Sequence, residues 1–412
     1  MTVRQRFPAS QGKTADNVGD LLSRLRQPPP GGPLTFGDQR LIDFLTGFAR
    51  RLLAPALARR FPELASLGFF LRKGEIAREL STIDTNPDVL RFPRGLVFHV
   101  PPANVDTVFV YSWALSALAG NRNVVRISPR AGGAAGAVLD ALNDALADAD
   151  PAIAATQVMI SYDRDDTITG ELSANCDLRV IWGGDAAVRA IRQHPLAPHA
   201  RDVTFPDRAS FSAISVDGWR AATNEEKTQA VQGFYNDAYW FDQAACSSPR
   251  TLFWVGDERS ATDARAKFIE LLGVTVDKRM FHVEPSMAVQ KRVGSYGAAA
   301  EGIVDAIRFA GNAITTVELA PGTMALRDWL GVGTFGHMTV AKLADLADIV
   351  TRKDQTLTHF GFQHGELVDL ARRLGGCGID RIVPFGKALS FAAIWDGYRL
   401  LAEFSRLTTI EA

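Results

Sequence analysis

From Gly95 to Gln193 the chain alternates short apolar runs with longer helical stretches, and this alternation limits the fold more than any other feature. Gly95–Val100, Asn123–Ser128, Thr156–Ser161 and Leu178–Trp182 read as buried strands. Asn104–Ala119, Gly132–Ala147, Asp166–Asn175 and Asp185–Gln193 carry helical patterns between and after them. Short strands alternating with longer helices form βαβ units, and βαβ units build a parallel sheet. Ligands of such a sheet bind beyond the carboxyl ends of its strands. A second α/β unit begins near Arg208, with strands at Phe211–Val216 and Thr251–Val255 and helices at Glu225–Trp240 and Arg259–Leu272.

The flanks differ. Gln27-Pro28-Pro29-Pro30-Gly31-Gly32-Pro33 cannot hold a helix, so residues 1–36 are expected as a loosely docked tail. The stretch Asp38–Arg60 spaces Leu41, Phe44, Leu45, Phe48 and Leu52 three and four apart, which lays one apolar stripe on a core. Ser390–Phe404 reads as a final amphipathic helix. A length of 412 residues fits two or three domains.

Composition excludes several classes. Lys plus Arg number 45 against 46 Asp plus Glu, a net charge of -1, which argues against a bulk nucleic-acid or membrane-surface binder. Cys176, Cys246 and Cys377 cannot make a disulfide framework, so a reducing, cytoplasmic setting is expected. His and Cys show no zinc-site spacing, so no metal is expected. The amino terminus lacks the order of a signal peptide, and no long uncharged window reads as a membrane span.

Three segments carry chemistry. Ala131-Gly132-Gly133-Ala134-Ala135-Gly136 follows a strand and opens a helix, but Ala131 replaces the first glycine of a dinucleotide fingerprint. Cys246 lies between a helical run and the strand at Thr251, where a thiol is either a small buried hydrophobe or a presented nucleophile. Asn104, in Pro101-Pro102-Ala103-Asn104, is suited to cap a helix or to donate to an oxyanion. Gly12-Lys13-Thr14 lacks the upstream glycine of a P-loop, and no serine sits in a GxSxG elbow. The histidines form no convincing site, and His99 reads as a core residue within a strand.

Five blocks in order resemble the aldehyde dehydrogenase superfamily and, more closely, its acyl-CoA reductase branch of the bacterial bioluminescence type. Pro101–Asn104 resembles the Pro-Trp-Asn motif, with Ala103 for Trp. Ala117–Pro129 resembles the "ALAAGNTVVLKPS" strand, with Arg126 for Lys. Trp182-Gly183-Gly184-Asp185 is similar to the "FTGS" turn, and Gln243–Arg250 to the nucleophile segment "GQxCxxxxR". Asp380–Leu389 with Trp395-Asp396-Gly397-Tyr398 is similar to the closing signature of the branch.

The resemblance implies an aldehyde-dehydrogenase-like fold of two open α/β, parallel-sheet domains with the active-site cleft between them. Residues 37–205 would bind the nicotinamide cofactor, 206–388 would carry the nucleophile, and 389–412 would return as a C-terminal helix to the cofactor domain. It implies Cys246 as nucleophile, Asn104 and the Cys246 N–H as oxyanion donors, and Arg126, Ser128, Gly183 and Gly184 as cofactor contacts. Arg126 favours NADPH, with NADH the alternative, and Glu318 is a candidate grip on the nicotinamide ribose. Hydrolytic members carry "TLELGGKSP", whose Glu activates water. Here the stretch is Val203–Ser210, and Pro206 stands in the place of that Glu, where no base can act. Asp207 is one position away.

The expected activity is reduction of a fatty acyl thioester to an aldehyde. The substrate would be an acyl-CoA or a carrier-bound thioester, with an acyl-transferring partner protein and a homo-oligomeric assembly. A hydrolytic aldehyde dehydrogenase, an acyl-phosphate reductase and a non-catalytic subunit of the same fold are the alternatives. Phe109, Tyr111 and Trp113 offer either an apolar lining or core.

Overall fold

The computed structural model describes residues 2–9, 16–83, 86–102, 108–129 and 132–411. The chain divides into two compact units, Met1–Pro206 with Phe391–Ala412, and Asp207–Ser390.

The first unit contains β1 (Thr2–Phe7), β2 (Asp16–Asn17), β3 (Val89–Pro93), β4 (Leu96–Val100), β5 (Arg122–Ile127), β6 (Gln157–Ser161), β7 (Leu178–Trp182) and β8 (Arg201–Phe205). Seven of these make one sheet in the order β2-β1-β6-β5-β4-β7-β8. The strands β4 to β8 run parallel to one another. All residues of β4, β6 and β7 are buried, which is why they read as unbroken apolar runs. The helix Val108–Leu118 is buried at all eleven positions, so Phe109, Tyr111 and Trp113 are core rather than lining. His99 is core too, held between Ser112 (3.2 Å) and Asn123 (2.9 Å).

The amino-terminal segment is built into this unit, against the expectation of a loose tail. β1 pairs antiparallel with β6, and Val3 and Phe7 are buried. The helix Val18–Arg26 starts on the Asn17 cap and buries Val18, Leu21, Leu22 and Leu25. Those positions recur at three and four residues, and each buried side chain contributes roughly 1.5–3 kcal/mol. The proline run only connects this helix to the next. Arg40 docks it by donating to the carbonyls of Gly31, Gly32 and Pro33.

The second unit contains β9 (Ala209–Ser215), β10 (Pro249–Val255), β11 (Val304–Ala310), β12 (Ile314–Leu319), β13 (Thr334–Val340), β14 (Asp354–Phe360) and β15 (Arg381–Pro384). Its order is β11-β12-β13-β10-β9-β14-β15, parallel except for the edge strand β11. The helix Asn224–Tyr239 opens on a capping box of Thr223 and Glu226.

The returning segment is not the long helix expected of Ser390–Phe404. It forms a hairpin of β16 (Ile394–Trp395) and β17 (Tyr398–Arg399), a four-residue helix Leu400–Glu403, and β18 (Ser405–Thr409), which pairs with β3. Asp396 and Gly397 both take positive φ (49° and 76°), the geometry of a two-residue hairpin turn favoured by Asp-Gly. Phe391 and Trp395 pack on Tyr111, with ring centroids 5.0 and 5.5 Å away. Among the described residues no helix is long and apolar enough to cross a membrane.

Candidate active site

The first unit carries a pocket of about 550 Å³ whose lining includes Val100, Arg126, Ser128, Trp182, Gly183 and Gly184. These residues end or follow β4, β5 and β7, so the pocket lies beyond the carboxyl ends of the strands. β4 sits between β5 and β7; the chain runs from β4 through β5 to β6 on one side and then crosses to β7 and β8 on the other, so this is a topological switch point. The four residues expected to touch cofactor thus share one pocket. Gly183 takes φ 153°, and a methyl group built on Gly184 would meet nothing within 4 Å. That leaves open backbone for a ligand to approach.

Arg126 lies over the Tyr162 ring, with 4.7 Å from guanidinium carbon to centroid, and its buried Nε has no hydrogen-bond partner. An anionic group suits this lining, because a buried unpaired guanidinium nitrogen invites an acceptor.

In the second unit, Cys246 is half-buried in the turn between Gln243 and β10, at the amino end of the sheet. Phe241, Asp242 and Gln243 all take left-handed backbone, with φ of 54°, 52° and 61°. Each costs roughly 1–2 kcal/mol, so the surroundings must impose them. Gln243, 1% exposed, does so from one side. Its amide donates to the carbonyls of Pro249 (2.8 Å) and Thr334 (3.1 Å) and accepts from the Thr334 N–H (3.2 Å). Ser210 holds the other side, its hydroxyl donating to the Cys246 carbonyl at 2.6 Å and accepting from the Thr356 N–H at 3.1 Å. A third support is the segment Ala325–Trp329. The Trp329 indole donates to the Asp242 carbonyl (2.9 Å), Thr251 to the Leu326 carbonyl (3.0 Å) and Arg250 to the Arg327 carbonyl. Arg327 in turn forks onto Asp354 at 2.8 and 2.7 Å.

The other thiols are placed differently. Cys176 is buried among apolar side chains, which pushes its pKa up to about 12. Cys377 is exposed after the helix His364–Leu374. Asn104 lies outside the described residues. Glu318 sits on β12 as an ion-pair partner of Arg265 and Arg308. Pro206 ends the first unit and Asp207 is exposed. In the same block, Ser210 is the residue that reaches the cysteine turn, a role no sequence signal marks.

Residues 86–286 match the family model described as Acyl-CoA reductase (LuxC). The match contains Arg126, Ser128, Gly183, Gly184, Ser210, Gln243 and Cys246. The long-chain acyl-protein thioester reductase of Aliivibrio fischeri is 27% identical over 167 residues, which are 40% of this chain and 33% of that protein. The enzyme of the same name from Vibrio harveyi is 28% identical over 191 residues, 45% of this chain and 37% of that protein. The matched stretch therefore spans about a third of the length of these relatives. Among solved structures, a putative aldehyde dehydrogenase from Burkholderia cenocepacia superposes with TM-score 0.67 at 13% identity, covering 100% of this chain and 95% of that one. An oxidoreductase from Marinobacter aquaeolei gives 0.68 at 12%, covering 100% and 94%. At such identity the likeness establishes the aldehyde-dehydrogenase fold, and the segment that matches the acyl-CoA reductase model lies within it.

Proposed function

We propose that this chain reduces an acyl thioester to an aldehyde through an acyl group held on Cys246, with NADPH as reductant. One observation carries the reading: within the acyl-CoA reductase segment, the only half-buried thiol among the described cysteines sits on a strained turn fixed from three sides. Such a turn presents a side chain while holding its backbone still.

In this reading the Cys246 thiolate attacks the thioester carbonyl. The Asn104 amide and the Cys246 N–H hold the oxyanion, and each donor of this kind is worth about 3–4 kcal/mol of barrier. Collapse expels the substrate's thiol and leaves the acyl group on sulfur. A reduced nicotinamide, when bound, supplies the hydride that takes the acyl carbon to the aldehyde level. Gly183 and Gly184 admit its pyrophosphate by close backbone approach, and Arg126 pairs with a 2′-phosphate. Pro206 in place of a base leaves water without help, so the acyl group persists until it is reduced. The substrate is a long-chain acyl-CoA or, following the name carried by the relatives, a protein-bound acyl thioester. Association into a homo-oligomer is part of the same proposal.

The test is a product assay with acyl-CoA and each reduced nicotinamide cofactor. Aldehyde formed with NADPH consumption, lost in Cys246→Ala, supports the reading. Free acid as the product would replace it with a hydrolytic enzyme, and a requirement for acyl phosphate with an acyl-phosphate reductase.

A further inference from the structure

The turn that bears Cys246 contains a peptide N–H with no acceptor among the described residues. Ala245, Cys246, Ser247 and Ser248 form a β-turn closed by the Ser248 N–H on the Ala245 carbonyl at 3.0 Å. Ser247, at its third position, is 3% exposed. Its N–H donates to no acceptor among the described residues. A buried N–H left unpaired costs roughly 1–3 kcal/mol, and native proteins satisfy more than about nine in ten such groups.

The direction of this N–H is fixed by covalent geometry. The Cys246 carbonyl and the Ser247 N–H belong to one planar trans peptide and point opposite ways. The carbonyl is pinned toward β9 by the Ser210 hydroxyl at 2.6 Å, and Ser210 is fully buried and anchored on the Thr356 N–H. The Ser247 N–H therefore points away from Ser210, on the peptide that follows the sulfur-bearing residue. Hydrolases that bind an oxyanion with the N–H of the residue after their nucleophile use the same local arrangement.

We propose that the Ser247 peptide N–H is an oxyanion donor of the Cys246 site, aimed by the Ser210 hydroxyl through the peptide that Ser247 shares with Cys246. This rests on Cys246 being the nucleophile. In the step it serves, the sulfur electron pair forms the S–C bond and the carbonyl π pair moves onto oxygen, where the N–H receives it. On collapse that pair re-forms the carbonyl, the bond to the substrate's sulfur breaks, and the departing thiolate takes a proton from solvent. Ser210 touches no reacting atom and is a positioning residue.

The test separates acylation, which builds an oxyanion, from alkylation by iodoacetamide, which does not. The full chain is made with the α-hydroxy analogue of serine at position 247, so that an ester oxygen replaces the N–H. Acylation by a long-chain acyl-CoA, without nicotinamide, is followed by intact mass. The ester chain is expected to acylate about 10²–10³-fold more slowly, the loss of one oxyanion donor, while alkylating within about threefold of the parent. Ser210→Ala is expected to show the same split at roughly tenfold, and Ser210→Thr to restore the parental rate. If the ester chain does not fold, the two Ser210 variants decide the matter alone. Acylation within about threefold of the parent, or alkylation falling in parallel with acylation, overturns the proposal. A parent chain that is never acylated on Cys246 refutes the nucleophile instead.

Discussion

The two units build their sites by different means. In the first, topology does the work: β4 is followed on one side by β5 and on the other by β7, and the crevice opens where those strands end. Any chain with that strand order has the crevice, and only Arg126, Ser128 and the glycine pair tailor it. In the second unit, the turn at Cys246 exists because distant side chains impose it. Ser210, Gln243 and Trp329 come from three separate segments and together hold a backbone that three left-handed residues would otherwise relax. The first-unit pocket and the turn that bears Cys246 are thus independent devices, one inherited from strand order and the other assembled from hydrogen bonds.

That independence can be broken experimentally. The largest effect is expected for Cys246→Ala, which should cut aldehyde formation by at least about a thousandfold. NADPH affinity, read by fluorescence titration, should stay unchanged. Next comes Arg126→Ala. Loss of a charge-assisted contact to a phosphate should weaken NADPH binding about 10–100-fold and NADH binding far less, with acylation of Cys246 unaltered. An equal loss for both cofactors would detach Arg126 from the 2′-phosphate.

Gln243→Ala should lower stability by about 2–3 kcal/mol in a denaturant titration. It strands the buried Thr334 N–H and the Pro249 carbonyl and releases the left-handed turn. Acylation should slow with it, and the first-unit pocket should keep its cofactor affinity.

The last effect concerns pH. Asp237, on the helix Asn224–Tyr239, accepts from the N–H groups of Gly386 (2.6 Å) and Ala388 (2.9 Å), and its burial raises its pKa from 3.8 to about 7. In that interval the folded chain keeps a proton that the unfolded chain has released. This contribution to stability is therefore complete below the ordinary carboxylate range and is lost as pH rises through about 7. Asp237→Asn should flatten the fall in stability over that window, measured as denaturant midpoints across pH. An unchanged slope would show that the carboxyl is not the titrating group.

The same contrast explains what was legible beforehand. β4 to β7 and their helices were readable because buried parallel strands are continuous apolar runs and helices repeat at three and four. The amino-terminal segment was misread because the Pro/Gly run dominated the stripe of Val18, Leu21, Leu22 and Leu25 beside it. The helix expected at Ser390–Phe404 gave way to a hairpin whose Asp396-Gly397 turn was in plain view. Of the site, the glycine pair, Arg126 and Cys246 stood out as motifs. Ser210 did not, because a serine within a buried strand acquires its role only from a cysteine carbonyl 36 residues along the chain. Long-range hydrogen bonds have no period and leave no trace in local sequence.

The central claim is that sulfur 246 carries an acyl group until hydride reaches it. Its most direct measurement is intact-mass spectrometry of the full chain after exposure to a long-chain acyl-CoA, before and after addition of NADPH. The account predicts a one-acyl mass increase, mapped by proteolysis to Cys246 and discharged as aldehyde when NADPH is added. No adduct, an adduct on another residue, or discharge as free acid would contradict it.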